Sequence, residues 1–263
     1  MTTNTHARPI LAHDSVGSGP LALLLPGAGD LRSEYRFLAP LLAEAGYRVV
    51  TADLPGHGES STVAGYGVAD AAQAILDLIE NLDAGPATLI ACSFAPAAGI
   101  WAATERPDAF NGMVMMSPHL EGSGAAAEFI QRIAMGTLLR GPWAPALWNK
   151  FYRSWYPSNP PADLDSETEK IREMMSEPQR RKAVRETLVA HRDGMSGRID
   201  RLDVRSLVIF GTADSHFKDP AGEAEQIAKR TGAQVFLAEG AGHYPHVERA
   251  DVVGPRILEF LSS

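Results

Sequence analysis

Short runs of continuous apolar residues recur along this chain, each closed by a turn cluster and followed by a helical pattern. That rhythm constrains the fold more than any other feature. Leu21-Ala22-Leu23-Leu24-Leu25 is unbroken and stops at Pro26-Gly27-Ala28-Gly29. The runs Arg48–Ala52, Ala87–Ala91 and Met113–Met116 repeat the pattern, and between two of them Ile75, Leu76, Ile79 and Leu82 fall at helical spacing within 68–82. A further helical stretch is expected over 33–45. A strand with one wet face alternates polar and apolar residues, whereas a continuous apolar run implies cover on both faces. Strands alternating with helices are joined by right-handed crossovers, so the predicted class is α/β with a mostly parallel, doubly wound sheet.

The rhythm stops at Pro118 and resumes at Ser206–Phe210. It continues with a helix over 220–230, a strand over 234–237 and a C-terminal helix ending near Leu261. Composition matters in the gap. Residues 121–200 hold 12 Lys+Arg and 11 Asp+Glu, a much denser and better balanced charge than the rest of a chain that is −8 overall. Three of the four tryptophans, Trp143, Trp148 and Trp155, lie there too. This reads as a core of residues 1–118 and 201–263 with an inserted helical cap over 119–200.

The same figures exclude several functions. A chain of 263 residues buries roughly three quarters of its unfolded surface, so it needs no staples. One cysteine rules out a disulfide framework or a Cys-rich zinc module. The acidic balance argues against nucleic acid, which calls for a basic stripe. No apolar run approaches the ~20 residues of a membrane span, and the first nine residues lack the apolar stretch of a signal peptide. A cytoplasmic protein acting on a small molecule is expected, with a homodimer left open.

The chemistry is concentrated at Ala91-Cys92-Ser93-Phe94-Ala95, where a buried strand gives way to a helix. A serine on such a turn is held in a strained conformation that exposes its hydroxyl, and its neighbours two residues away must be small. Alanines fill both places here instead of the usual glycines. Asp214 follows the strand 207–210 and His243 follows the next one, giving the order nucleophile, acid, base. In a parallel sheet all three emerge at the carboxyl ends of strands, where active-site loops gather.

That order, the Pro26–Gly29 loop and the segment Asp53-Leu54-Pro55-Gly56-His57-Gly58-Glu59-Ser60 resemble the α/β-hydrolase superfamily over nearly the whole chain. The resemblance implies an α/β-hydrolase fold with a cap. It also implies a cofactor-independent serine hydrolase with Ser93 as nucleophile, His243 as base and Asp214 as its orienting acid. The backbone amides of Ala28 and Phe94 would form the oxyanion hole, although Pro26-Gly27 stands where the family often has His-Gly. Gly27, His119, Trp143, Trp148 and Trp155 are candidates to line a substrate pocket. An apolar ester, lactone or thioester is the expected substrate. Carbon–carbon bond hydrolysis, peracid formation and a slow-turnover receptor remain open on the same triad. A carbon–carbon hydrolase would hold a substrate carboxylate with basic pocket residues, and none is evident in the sequence.

Other residues read as structural. Cys92 lies one residue off the turn's tip and is expected to be an inert buried thiol. Asp53 and His57 fit a structural turn, and His246 fits helix packing. His216, like His119, falls just past a strand end. Arg180-Arg181-Lys182 reads as a solvated helix face. No histidine spacing matches a metal motif.

Overall fold

The apolar runs form the inner strands of one seven-stranded sheet. The computed structural model describes residues 9–62, 65–121 and 133–263. The chain's first eight residues and residues 122–132 of the predicted cap lie outside that range. The strands are β1 (His13–Val16), β2 (Leu21–Leu25), β3 (Arg48–Ala52), β4 (Ala87–Cys92), β5 (Phe110–Met116), β6 (Ser206–Gly211) and β7 (Gln234–Ala238). Their order is β1-β3-β2-β4-β5-β6-β7. Only β1 runs antiparallel to its neighbour; every other pair is parallel. The doubly wound α/β prediction therefore holds. Strand β1 was not foreseen, because all four of its residues are exposed at the sheet edge and leave no apolar pattern.

The two-sided cover is visible residue by residue. Leu21, Leu23 and Leu25 pack with Ile75 and Ile79 of α2 (Val68–Leu82) and Ala97 and Ile100 of α3 (Ala95–Glu105). Ala22 and Leu24, pointing the other way, pack with Leu38 and Leu42 of α1 (Leu38–Glu44) and with residues of the C-terminal helix. The stretch 33–45, expected as one helix, divides into a 3-10 turn, Arg32–Tyr35, and α1.

Among the described residues, the gap between β5 and β6 holds a helical stretch over 133–138 and then α4 (Ala144–Ser154), α5 (Leu164–Ser176), α6 (Pro178–Leu188) and α7 (Met195–Ile199). They share their buried face with the sheet layers. Trp148, Tyr152, Ile171 and Met175 join the apolar cluster of β2 and α1, while Met195 and Ile199 join that of α2 and α3. The run at 180–182 departs from the solvated face expected of it. Arg180 donates to Ser60 O (3.1 Å) and Arg181 to Met175 O (2.7 Å), tying α6 to carbonyls below; only Lys182 stays exposed. The chain ends in α8 (Pro220–Thr231), α9 (Pro245–Glu248) and α10 (Ala250–Ser262).

Asp53 and His57 are structural. Asp53 is buried beneath the Arg32 guanidinium (2.5 Å), which also reaches Asp14 (2.6 Å) and Glu59. His57 is buried with Nδ1 3.0 Å from Pro55 O, and burial pushes its pKa down to about 4. Breaking a buried pair from one side leaves an uncompensated charge. Arg32→Ala is therefore expected to cost about 3 kcal/mol in a urea denaturation series. A loss below about 1 kcal/mol would mean that the backbone N–H groups of Arg32 and Glu59 satisfy Asp53 without the guanidinium.

Candidate active site

Ser93 sits between the last residue of β4 and the first of α3, with φ +58°. A non-glycine residue in the left-handed region is strained, and such strain persists only where the surroundings enforce it. Here Ser93 N donates to Met116 O (2.9 Å), and Ser93 O accepts from His119 N (2.9 Å). Both flanking alanines, Ala91 and Ala95, are fully buried, which explains why only small residues fit two places either side. Phe94 already has helical angles at the start of α3, so its N–H is among the first, unpaired donors of that helix.

Asp214 follows β6 and His243 follows β7. His243 Nδ1 donates to Asp214 Oδ2 at 2.8 Å, and both side chains are buried. Asp214 Oδ1 receives two more donors, the N–H of His216 (3.0 Å) and its ring Nδ1 (3.0 Å). Burial alone would raise the Asp214 carboxyl, but the bonds from His216 and His243 hold it well below the usual carboxylate range. Burial lowers the pKa of His243, and the neighbouring His216, ring centroids 4.0 Å apart, lowers it further against the pull of Asp214. The imidazole is thus neutral and able to accept a proton near neutral pH. Among the described residues Ser93 Oγ and His243 form no direct hydrogen bond, and such bonds are often long in ligand-free sites.

Both residues face one cavity of about 890 Å³. Trp148, Trp155, Phe151 and Phe217 give it aromatic walls, and Ala28, Phe94 and His119 lie beside the serine. Trp148 is buried and donates from Nε1 to Gly29 O (3.0 Å), while Trp155 O accepts from His243 N (3.2 Å). These two tryptophans therefore join the inserted helices to the loops that carry Ala28 and His243. Trp143, expected in the pocket, does not line the cavity. It precedes the first turn of α4, is 58% exposed, and turns its Nε1 back to Leu138 O (2.9 Å). Gly27 also lies outside the lining, beneath the serine: a Cβ there would stand 3.1 Å from Ser93 Cβ.

Three contributors were not evident in the sequence. His216, expected only just past a strand end, is a hydrogen-bond partner of Asp214. Arg192 donates from Nε to His119 O (2.9 Å) and sets its guanidinium 5.8 Å from the Phe94 ring, inside the same cavity. Glu248 accepts from Gly242 N (2.5 Å) and Asn159 N (2.9 Å), clamping the His243 loop to the segment after α4. A buried acid two residues from a histidine carries no distinctive spacing; only the fold reveals it. His246 is buried, as packing required.

Residues 22–255 match the alpha/beta hydrolase family. The chain belongs to that family. This alpha/beta hydrolase is 29% identical over 254 residues to the dihydrolipoyllysine-residue acetyltransferase component of the acetoin cleaving system of Pseudomonas putida, covering 93% of this chain but 64% of that protein. It thus spans under two thirds of that relative's length. It is 23% identical over 288 residues to a 2-hydroxy-6-oxo-6-phenylhexa-2,4-dienoate hydrolase of Burkholderia cepacia, covering 95% of this chain and 90% of that one. A thermophilic esterase from Thermogutta terrifontis superposes with a TM-score of 0.82 at 24% identity, over 99% of this chain and 96% of the esterase, a likeness of fold. Among the described residues no helix is long and apolar enough to cross a membrane.

Proposed function

We propose that this chain is a cofactor-independent serine hydrolase that cleaves a small, largely apolar carboxylic ester, lactone or thioester through an acyl-enzyme. The observation that carries the reading is the Asp214–His243 bond at 2.8 Å opening onto the same cavity as a serine held at φ +58°. A serine hydroxyl is a weak nucleophile and needs an adjacent base. His243, oriented by Asp214, takes the proton of Ser93 as Oγ adds to the carbonyl carbon. It then returns that proton to the leaving group, and water repeats the cycle on the acyl-enzyme.

The tetrahedral intermediate carries a negative oxygen that two backbone donors would hold, the amides of Phe94 and Ala28. The loop geometry supports the second donor. Gly27 O accepts from Asp30 N (3.2 Å), turning that carbonyl into the loop. In a trans peptide the following N–H points the opposite way, and Ala28 lines the cavity. We read the helices between β5 and β6 as the cap whose aromatic residues shape the pocket.

Incubation with p-nitrophenyl acetate and butyrate, and with a fluorophosphonate probe, tests the reading. Turnover and labelling of Ser93 are expected; absence of both would remove it. Arg192 favours a second reading, carbon–carbon bond hydrolysis of a carboxylate-bearing substrate, because it sets a cation in the wall of the cavity that Ser93 also lines. A meta-cleavage dienoate turned over faster than any p-nitrophenyl ester would select that reading.

The pH profile follows from the base. Catalysis needs neutral His243, and its lowered pKa places the acid limb of kcat/KM below the free-imidazole value of 6.5. His216 contributes to that lowering, so His216→Asn is expected to move the limb to higher pH. A profile of kcat/KM between about pH 4.5 and 8 reads this directly. A midpoint that stays put or falls would show that His216 does not act on His243.

A further inference from the structure

Beneath the 26–30 loop lies a group of fully buried polar side chains that do not line the cavity: Asp30, Glu34, Cys92 and His246. Glu34 is at its centre. Its Oε2 accepts from Gly27 N at 3.0 Å, and its Oε1 lies 2.9 Å from His246 Nε2 without hydrogen-bond alignment. His246 stacks on Tyr35 (ring centroids 5.0 Å), whose hydroxyl donates to Leu25 O (2.7 Å) at the end of β2. Burial pushes His246 down to about 3, so it stands there as a neutral ring.

Burying a carboxyl group is costly unless it is hydrogen-bonded, and here Gly27 N supplies that bond. The partner here is one peptide away from the inferred oxyanion donor. The loop is pinned at three points around Ala28: Glu34 holds Gly27 N, Asp30 N holds Gly27 O, and Trp148 Nε1 holds Gly29 O. The second and third pins are an ordinary turn and a packing contact. The first is a buried carboxyl acceptor, which Asp30 and Cys92 also approach.

We propose that Glu34 is a positioning residue for the oxyanion hole: it fixes the Gly27 amide and thereby aims the Ala28 N–H at the substrate's carbonyl oxygen. The inference rests on the hydrolase reading above. Glu34 touches neither substrate nor reacting atoms, so its effect must pass through the loop. It should therefore appear in transition-state binding and not in ground-state binding.

The test compares Glu34→Ala and Glu34→Gln on p-nitrophenyl butyrate, with phenylboronic acid as a probe whose tetrahedral adduct puts an oxygen in the hole. Burial raises the Glu34 carboxyl to about 7, so a neutral carboxamide that still accepts from Gly27 N is a close substitute. Misplacing a catalytic donor by about 1 Å costs on the order of 10²-fold. The expected result for Glu34→Ala is a drop of about that size in kcat, with KM nearly unchanged and boronate affinity weakened in parallel. Glu34→Gln should retain most of the wild-type kcat. If Glu34→Ala does not fold, Glu34→Met keeps the volume while still removing the acceptor. The proposal is overturned by wild-type kcat in a folded Ala or Met variant, by equal losses in Gln and Ala, or by a loss confined to KM. A wild-type protein with neither turnover nor fluorophosphonate labelling would remove the hydrolase reading, and this proposal with it. An active wild type indifferent to residue 34 would remove this proposal alone.

Discussion

Ser93→Ala is expected to abolish fluorophosphonate labelling and to lower kcat on p-nitrophenyl butyrate by roughly 10⁴- to 10⁶-fold. Removing the nucleophile from a triad costs nearly as much as removing all of it, since the remaining members have no covalent step to assist. The fold should be untouched. Among the described residues Ser93 Oγ makes no hydrogen bond, and the turn is held by its backbone through Met116 O and His119 N. The neighbouring thiol supplies the control. Cys92 is fully buried with Sγ 4.0 Å from His243 O, and burial followed by the proximity of Glu34 raises its pKa well above the ordinary thiol value. A thiol that cannot ionise is no nucleophile, so Cys92→Ala should keep activity and labelling. Labelling that survives Ser93→Ala but not Cys92→Ala would reverse the assignment.

What the sequence discloses about this site follows from where each signal resides. The continuous run Leu21–Leu25 announces a strand covered on both faces because both faces are in fact packed. The edge strand His13–Val16 announces nothing, since exposure removes the pattern. Ser93, Asp214 and His243 are legible because strand ends are legible, and parallel strands send their carboxyl ends to one side. The partners of these residues are not. Glu34, Trp148 and Glu248 act on loops 7, 119 and 6 residues away, through side-chain hydrogen bonds to loop backbone, which leave no periodic apolar pattern to read. Trp143 shows the opposite failure. Its place in an aromatic segment suggested the pocket, but position before the first turn of α4 leaves its ring outside.

Asp214→Asn makes the tautomer of His243 testable, and here the second histidine decides the outcome. An asparagine has one acceptor and one donor where aspartate has two acceptors. The Oδ1 side of Asp214 faces the backbone N–H of His216 at 3.0 Å, a donor that cannot be reversed. The amide oxygen must therefore take that side, which turns the NH2 toward His243 Nδ1. The imidazole can meet a donor there only with Nδ1 unprotonated, and its proton then sits on Nε2, the atom that accepts from Ser93 in the proposed mechanism. A loss of about 10⁴-fold in kcat is expected with the fold retained. Were the amide free to turn over, His243 would keep the productive tautomer and the loss would stay small. The His216 backbone N–H forbids that turn even in His216→Phe, where the ring bond to Oδ1 is gone. The double variant Asp214→Asn, His216→Phe should therefore be as inactive as Asp214→Asn alone. Recovery in the double variant would assign the hold on the amide to the His216 ring and not to its backbone. A loss under about tenfold in Asp214→Asn itself would mean that Asp214 does not set the tautomer of His243.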